Sequence, residues 1–320
     1  MRISFAGGLT DIAEFYNNAD YGAVVSTSIN KYVFITVNKK FDNKTRVSYS
    51  KTEIVDNVKE IHHPIVREVL DFLEIKNGTE ITCIGDFPSG TGMGSSSAFT
   101  VGLLNALHRY KGEKISPYQL AEEACYIEID RLKEPIGKQD QYASAFGGIN
   151  YIKFEKDTTT VSPISISDKY KNVIDILTSL HFIGSSGFAR DMLSKQVKSF
   201  SDKLNELSNL RNIANKMREI LSSNKGDMFE KFGEALKDQW LIKRNMSGVT
   251  NENINNLYSS AIINGAIGGK VCGAGGRGFL MLYSLENHDD LLSFMKKNGY
   301  PETPFSFEHE GSKIVYEGQE

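Results

Sequence analysis

The chain has 320 residues, 40% of them hydrophobic and 24% charged, and its 37 Lys and Arg set against 40 Asp and Glu leave a net charge of −3. That balance excludes the basic field on which nucleic-acid binding depends, and no apolar run is long enough to span a membrane. Three scattered cysteines, Cys83, Cys125 and Cys272, form no CxxC pair, which argues against a zinc site and fits a reducing, cytoplasmic compartment.

In chain order, Met1-Arg2-Ile3-Ser4-Phe5 reads as a strand and not as a signal peptide. Residues 22–40 are rich in β-branched and aromatic residues, and 44–51 read as a partner strand. Helical periodicity over 63–74 precedes a strand over 79–88 that ends at Pro88. After a glycine-rich turn, Phe99, Leu103, Leu107 and Tyr110 recur at helical spacing. The next helix begins at Ser116 as N-cap, with Pro117 at its first position and Gln119 placed to complete a capping box, and it must stop near Glu134-Pro135-Ile136-Gly137. Strands follow at 149–155, 159–166 and 176–184. One long amphipathic helix over 189–222 then pairs with a second carrying Phe229, Phe232, Leu236 and Trp240, and these apolar side chains read as core. A helix over 251–264, a glycine-rich stretch over 265–278, a strand over 279–284, a helix near 287–298 and two terminal strands complete the chain. The composition shifts near 165–185, which divides it into residues 1–168 and 169–320.

Three features carry chemistry. Between a strand and a helix, residues 88–98 bring Gly90, Gly92 and Gly94 together with Met93, Ser95, Ser96 and Ser97. Spaced glycines let main-chain N–H groups approach a ligand, and a helix start adds unpaired N–H groups and the positive end of its dipole, a combination suited to phosphate. The other reading is a flexible turn with serine caps. No Lys follows the last glycine, so this is not a Walker A loop, and Gly94 comes one residue early for a dinucleotide fingerprint. Glu128 interrupts the apolar face of Ala121, Cys125 and Leu132; it either ligates a cation such as Mg²⁺ or pairs with a core Arg or Lys. Asp140, just past the helix breaker, either caps a helix over 141–146 or serves as the base for an attacking hydroxyl.

Arg2-Ile3-Ser4-Phe5-Ala6-Gly7-Gly8-Leu9-Thr10-Asp11, residues 88–98 and Gly269-Lys270-Val271-Cys272-Gly273-Ala274-Gly275-Gly276-Arg277-Gly278-Phe279 resemble, in order, the three motifs of the GHMP kinase superfamily. The resemblance implies a two-domain α+β fold. Its N-terminal domain would contain a left-handed βαβ unit. Its C-terminal domain would be ferredoxin-like with an added helical hairpin. It implies ATP held on residues 90–97, Mg²⁺ held by Ser96 and Glu128, Asp140 as the catalytic aspartate with Arg2 beside it, and Asp11 binding sugar hydroxyls. Arg277 stands where the family has a glycine. Met93 and Ser97 stand where Leu and Ala are usual.

Within the superfamily, Arg2–Asp11, Ser28-Ile29-Asn30-Lys31-Tyr32, Ile61-His62-His63-Pro64 and Gly137-Lys138-Gln139-Asp140-Gln141-Tyr142 resemble the heptose 7-phosphate kinases, and fucokinase-type members share part of this. That subgroup phosphorylates the anomeric hydroxyl of D-glycero-D-manno-heptose 7-phosphate on the way to a nucleotide-activated heptose for surface polysaccharide. The resemblance makes Gly8, Thr10, Asp11 and Gly275 candidates for substrate binding. A phosphorylated sugar also needs a cation, with Lys31, Arg190, Arg244 and Arg277 as candidates, while His63, ahead of a proline, reads as structural. Two other readings are a different sugar 1-kinase on the same fold and a nucleotide-binding regulator without catalysis.

Overall fold

Strands β1 (Arg2–Ala6) and β2 (Gly22–Ile29) are buried along their whole length, and a strand covered on both faces cannot alternate polar with apolar residues. They belong to a computed structural model that describes residues 1–88, 90–184, 203–246, 249–273 and 275–318. The two strands pair antiparallel with Ile3 opposite Thr27, and the register shifts between Ser4 and Ala6. β7 (Ile149–Phe154) and β8 (Thr159–Pro163) extend this sheet in the order β1-β2-β7-β8, and the short β12 (Phe307–Glu308) returns to pair with β2.

A second sheet has the order β3 (Val33–Lys39), β6 (Thr79–Gly85), β4 (Thr45–Ser48), β5 (Thr52–Val55). Its β4 and β6 run parallel, and the chain joins them through β5 and helix α2 (Pro64–Phe72). The expected strand over 22–40 is therefore two strands in two sheets, broken at residues 30–32. His63 starts α2, its Nδ1 facing Val66 N at 3.5 Å and its ring edge-on to Tyr49, so its role there is structural.

A third, antiparallel sheet runs β10 (Gly268–Val271), β11 (Gly278–Tyr283), β9 (Thr178–Gly184). Near the C-terminus, Glu302 adds a single bridge to His181 in place of a further full strand. Helices Leu204–Ser222 and Met228–Lys243 form the hairpin, and the first packs on β1 and β2. The expected start of that hairpin, 189–202, lies outside the described residues. Phe232, Leu236 and Trp240 are fully buried. A chain of edge-on rings joins Phe5 to Phe232 at 5.1 Å and Phe232 to Tyr283 at 4.9 Å. One apolar cluster thus holds β1 side chains together with the helical hairpin and β11, so the two halves of an α+β fold share a core.

Three local features went beyond the sequence reading. A helix over Asp168–Ile176 precedes β9, and β10 lies inside the glycine-rich stretch over 265–278. The helix from Ser116 is α-helical only over Pro117–Cys125 and then opens into a π turn, Tyr126–Arg131, where Leu132 N bonds Ile127 O at 3.0 Å. The Ser116 hydroxyl does accept from Gln119 N at 3.2 Å, but the Gln119 side chain turns to Glu123, leaving the capping box half formed.

Candidate active site

The two glycine-rich segments, some 180 residues apart in sequence, lie against each other. A Cβ on Gly92 would meet the Cys272 carbonyl oxygen at 2.6 Å, and one on Gly273 would meet the Gly92 Cα at 2.4 Å. Backbone can approach backbone this closely only where both residues lack side chains. Gly92 and Gly94 also have φ of +80° and +70°, conformations closed to most residues. The second segment therefore serves as a buttress for the first.

Gly94 is the N-cap of helix α3 (Ser95–Tyr110), and no side chain caps that end. The first-turn N–H groups are thus left for a ligand, and the helix dipole favours an anion there. Arg2 fixes the loop from below. Its backbone N bonds Met93 O at 3.1 Å and its guanidinium donates to Gly92 O at 2.8 Å. The same guanidinium donates to the Asp140 carboxylate at 2.6 Å, with Arg2 only 4% exposed. A Cβ on Gly94 would already sit 3.3 Å from that carboxylate, so the loop, the arginine and the aspartate form one packed unit. Asp140 lies in the first turn of the helix Gln139–Phe146 without capping it. The capping alternative is thereby removed, and Arg2 is its cationic partner.

Glu128 projects from the π turn and is 1% exposed. Ser96 Oγ donates to it at 3.3 Å and Gln141 Nε2 at 2.6 Å. Among the described residues no ion pair involves it, which answers the core Arg or Lys alternative. Burial pushes its carboxyl up to about 7, against hydrogen bonds from Ser97, Gln141 and Thr100 that pull it down. A buried carboxylate beside a serine hydroxyl is an all-oxygen donor set, which suits a hard divalent cation. No group of three or more His, Cys, Asp or Glu side chains gathers among the described residues. Further ligands to such a cation would be phosphate oxygens and water.

On the other side of the cleft, Asp11 accepts from Leu9 N, Gln139 N and Gln139 Nε2 at 3.1–3.2 Å and is 2% exposed. Burial raises its carboxyl above the usual range. Gly8 and Asp11 line the cleft together with Arg2, Gly90, Gly92, Gly94, Ser95, Ser96 and Asp140. The other expected residues lie elsewhere. The Thr10 hydroxyl is committed to the backbone of Gly7 and Ala23. Lys31 lies over the Phe87 ring. Gly275 packs on Val249, Arg277 is exposed, Met93 is buried in the apolar core, and Ser97 is buried with its side chain bonded to Glu128. Arg190 lies outside the described residues. Two lysines of the cleft were missed, as were Ser4 and Gln139: Lys243, one position before the candidate Arg244, and Lys270. Both are nearly inaccessible. Lys243 ends a helix whose pattern resembles ordinary core, and Lys270 lies inside a glycine-rich stretch, so no periodicity singles them out.

Residues 49–148 match the GHMP kinases N terminal domain, and the chain is a phosphotransferase that uses ATP. It is 29% identical to the D-glycero-alpha-D-manno-heptose 7-phosphate kinase of Campylobacter jejuni over 98% of this chain and 96% of that one. It is 27% identical to the galactokinase of Pyrococcus furiosus over 86% of this chain and 84% of that protein. Its fold superposes on the crystal structure of a D-glycero-D-manno-heptose 1-phosphate kinase from Bacteriodes thetaiotaomicron with a TM-score of 0.80. That match has 20% identity and covers 99% of this chain and 98% of the other.

Proposed function

We propose that this chain transfers the terminal phosphoryl group of ATP to the anomeric hydroxyl of D-glycero-D-manno-heptose 7-phosphate, giving the 1,7-bisphosphate for nucleotide-activated heptose. The observation that carries this reading is the Arg2–Asp140 pair, set 2.6 Å apart directly beneath an uncapped helix N-terminus. A pure nucleotide binder has no use for a carboxylate at that place. The near full-length likeness to a heptose 7-phosphate kinase supports the choice of sugar.

In this reading the ATP phosphates rest on residues 90–97 and the first turn of α3. Asp140 accepts the proton of the attacking hydroxyl as the new P–O bond forms and the bond to the leaving ADP oxygen breaks. Arg2 orients Asp140 through its Nε and anchors the loop through Gly92 O. Ser96 and Glu128 hold Mg²⁺, which supplies positive charge for the phosphate oxygens when bound. Asp11 and Gly8 face the sugar. Residues 1–168 carry most of the nucleotide side and 169–320 supply the buttress. No helix among the described residues is long and apolar enough to cross a membrane, and a cytoplasmic location suits an ATP-consuming enzyme. Purified protein given ATP and a panel of sugars and sugar phosphates tests this, with phosphorus NMR locating the new phosphate. Transfer to C1 of the heptose 7-phosphate is the expected result. Preferred transfer to galactose or mevalonate would replace the substrate assignment.

A further inference from the structure

Gly8 lines the cleft, yet neither conformation nor crowding demands a glycine there. It is absent from the positive-φ residues. A Cβ on it would meet nothing closer than Ser4 Oγ at 3.7 Å, Lys243 Nζ at 3.9 Å and Gln139 Nε2 at 4.0 Å. These are ordinary van der Waals contacts, so the cleft over Gly8 has room for a side-chain carbon without a clash, and three hydrogen-bond donors converge on it. None is saturated. The Ser4 hydroxyl is buried and has no hydrogen-bond partner. Among the described residues Lys243 makes one hydrogen bond, to Gly273 O at 2.9 Å, out of three N–H donors. The Gln139 amide donates once among the described residues, to Asp11. Lys270 stands behind, bonded to Ser4 O at 2.6 Å.

We propose that this hollow is an oxyanion subsite in which Ser4, Lys243 and Gln139 hold the phosphate monoester of the acceptor. The inference rests on the chain being a sugar-phosphate kinase and names the residues that make it prefer a phosphorylated acceptor. Spacing supports it. Ser4 lies two residues along β1 from Arg2, on the same side of the strand and roughly 7 Å away. That is about the distance from a reacting hydroxyl at one end of a sugar ring to a phosphate carried at the other. Two buried lysines, with no carboxylate ion-paired to either among the described residues, also leave positive charge that an incoming dianion would balance. Burial lowers Lys243 to about 8, with Arg2 pulling it further down and Cys272 and Asp11 pulling it up; Lys270 lies close by on β10. Binding of an anion beside it therefore draws a proton onto the protein at mildly alkaline pH.

The test is titration calorimetry with inorganic phosphate on enzyme whose nucleotide site is saturated with AMP-PNP. Wild type is compared with Gly8→Ala and Lys243→Met. Gly8→Ala fills the hollow without a clash, so it keeps the test meaningful if Lys243→Met folds poorly. Phosphate affinity falls at least tenfold in both variants while AMP-PNP affinity stays within twofold. Proton uptake, read by repeating the titration at pH 8 in buffers of different ionisation enthalpy, disappears in Lys243→Met. Unchanged phosphate binding in both variants overturns the subsite, as does a loss confined to AMP-PNP, which would give Lys243 to the nucleotide. If the subsite behaves as described but wild type does not phosphorylate heptose 7-phosphate, the subsite stands and the choice of sugar falls.

Discussion

Glu128→Gln should make the metal-free protein more stable while removing its activity. Holding the ionised carboxylate in the folded protein, where burial raises its pKa from 4.5 to about 7, costs about 3 kcal/mol at 1.36 kcal/mol per tenfold change. The folded-state value is the raised one. The protonated form's advantage is thus complete below pH 4.5 and is lost as pH rises through 7. Wild type without metal therefore loses about 3 kcal/mol across that window, and the glutamine variant does not. The variant keeps its hydrogen bonds, because its amide oxygen still accepts from Gln141 and its NH₂ can donate to Ser96, which now accepts. The assay is urea unfolding from pH 5 to 8, in EDTA and in millimolar MgCl₂. At pH 8 in EDTA the variant unfolds at higher urea. Mg²⁺ raises the midpoint of wild type by mass action and leaves the variant where it was. A variant less stable than wild type at pH 8 in EDTA would refute the buried-charge argument. Equal stabilisation of both proteins by Mg²⁺ would remove Glu128 from the cation site.

Two further changes probe the neighbouring groups. Asp140→Asn lowers kcat by about 10²–10⁴ with little change in ATP affinity, measured by coupled ADP release and by nucleotide titration. It also destabilises the fold by about 1–3 kcal/mol, read by urea unfolding, because Arg2 is 4% exposed and loses its counter-charge. Gly92→Ala drives a Cβ to 2.6 Å from Cys272 O at a φ of +80°, so the loop must shift. The ATP KM rises at least tenfold in steady-state kinetics, and thermal unfolding moves down by an amount corresponding to about 1–3 kcal/mol.

The features the sequence made legible are local ones. Three spaced glycines before a serine-led helix and Ser116-Pro117 each announce a turn or a cap through short-range backbone chemistry, and each falls where expected. Glu128 and Asp140 stood out because a carboxylate on an apolar face or just past a breaker invites a partner. What stayed hidden depends on distant contacts. Gly92 lies against Gly273, a fact that no window of neighbours contains, and the pairing of Asp140 with Arg2 across 138 positions was legible only through the family resemblance. The π turn that carries Glu128 shows no special composition. Lys270 follows two glycines inside a motif that reads as loop, yet β10 buries it to 2% exposure. A lysine's charge suggests a solvated surface, so two buried ones escape any reading that assigns location by residue type.

A crystal structure with a non-hydrolysable ATP analogue and Mg²⁺ tests the central claim most directly. The account predicts phosphate oxygens within hydrogen-bonding distance of the amides of Gly92–Ser97, with Arg2 and Asp140 facing the terminal phosphate. Phosphates seated elsewhere, with the first turn of α3 open to solvent, would contradict it.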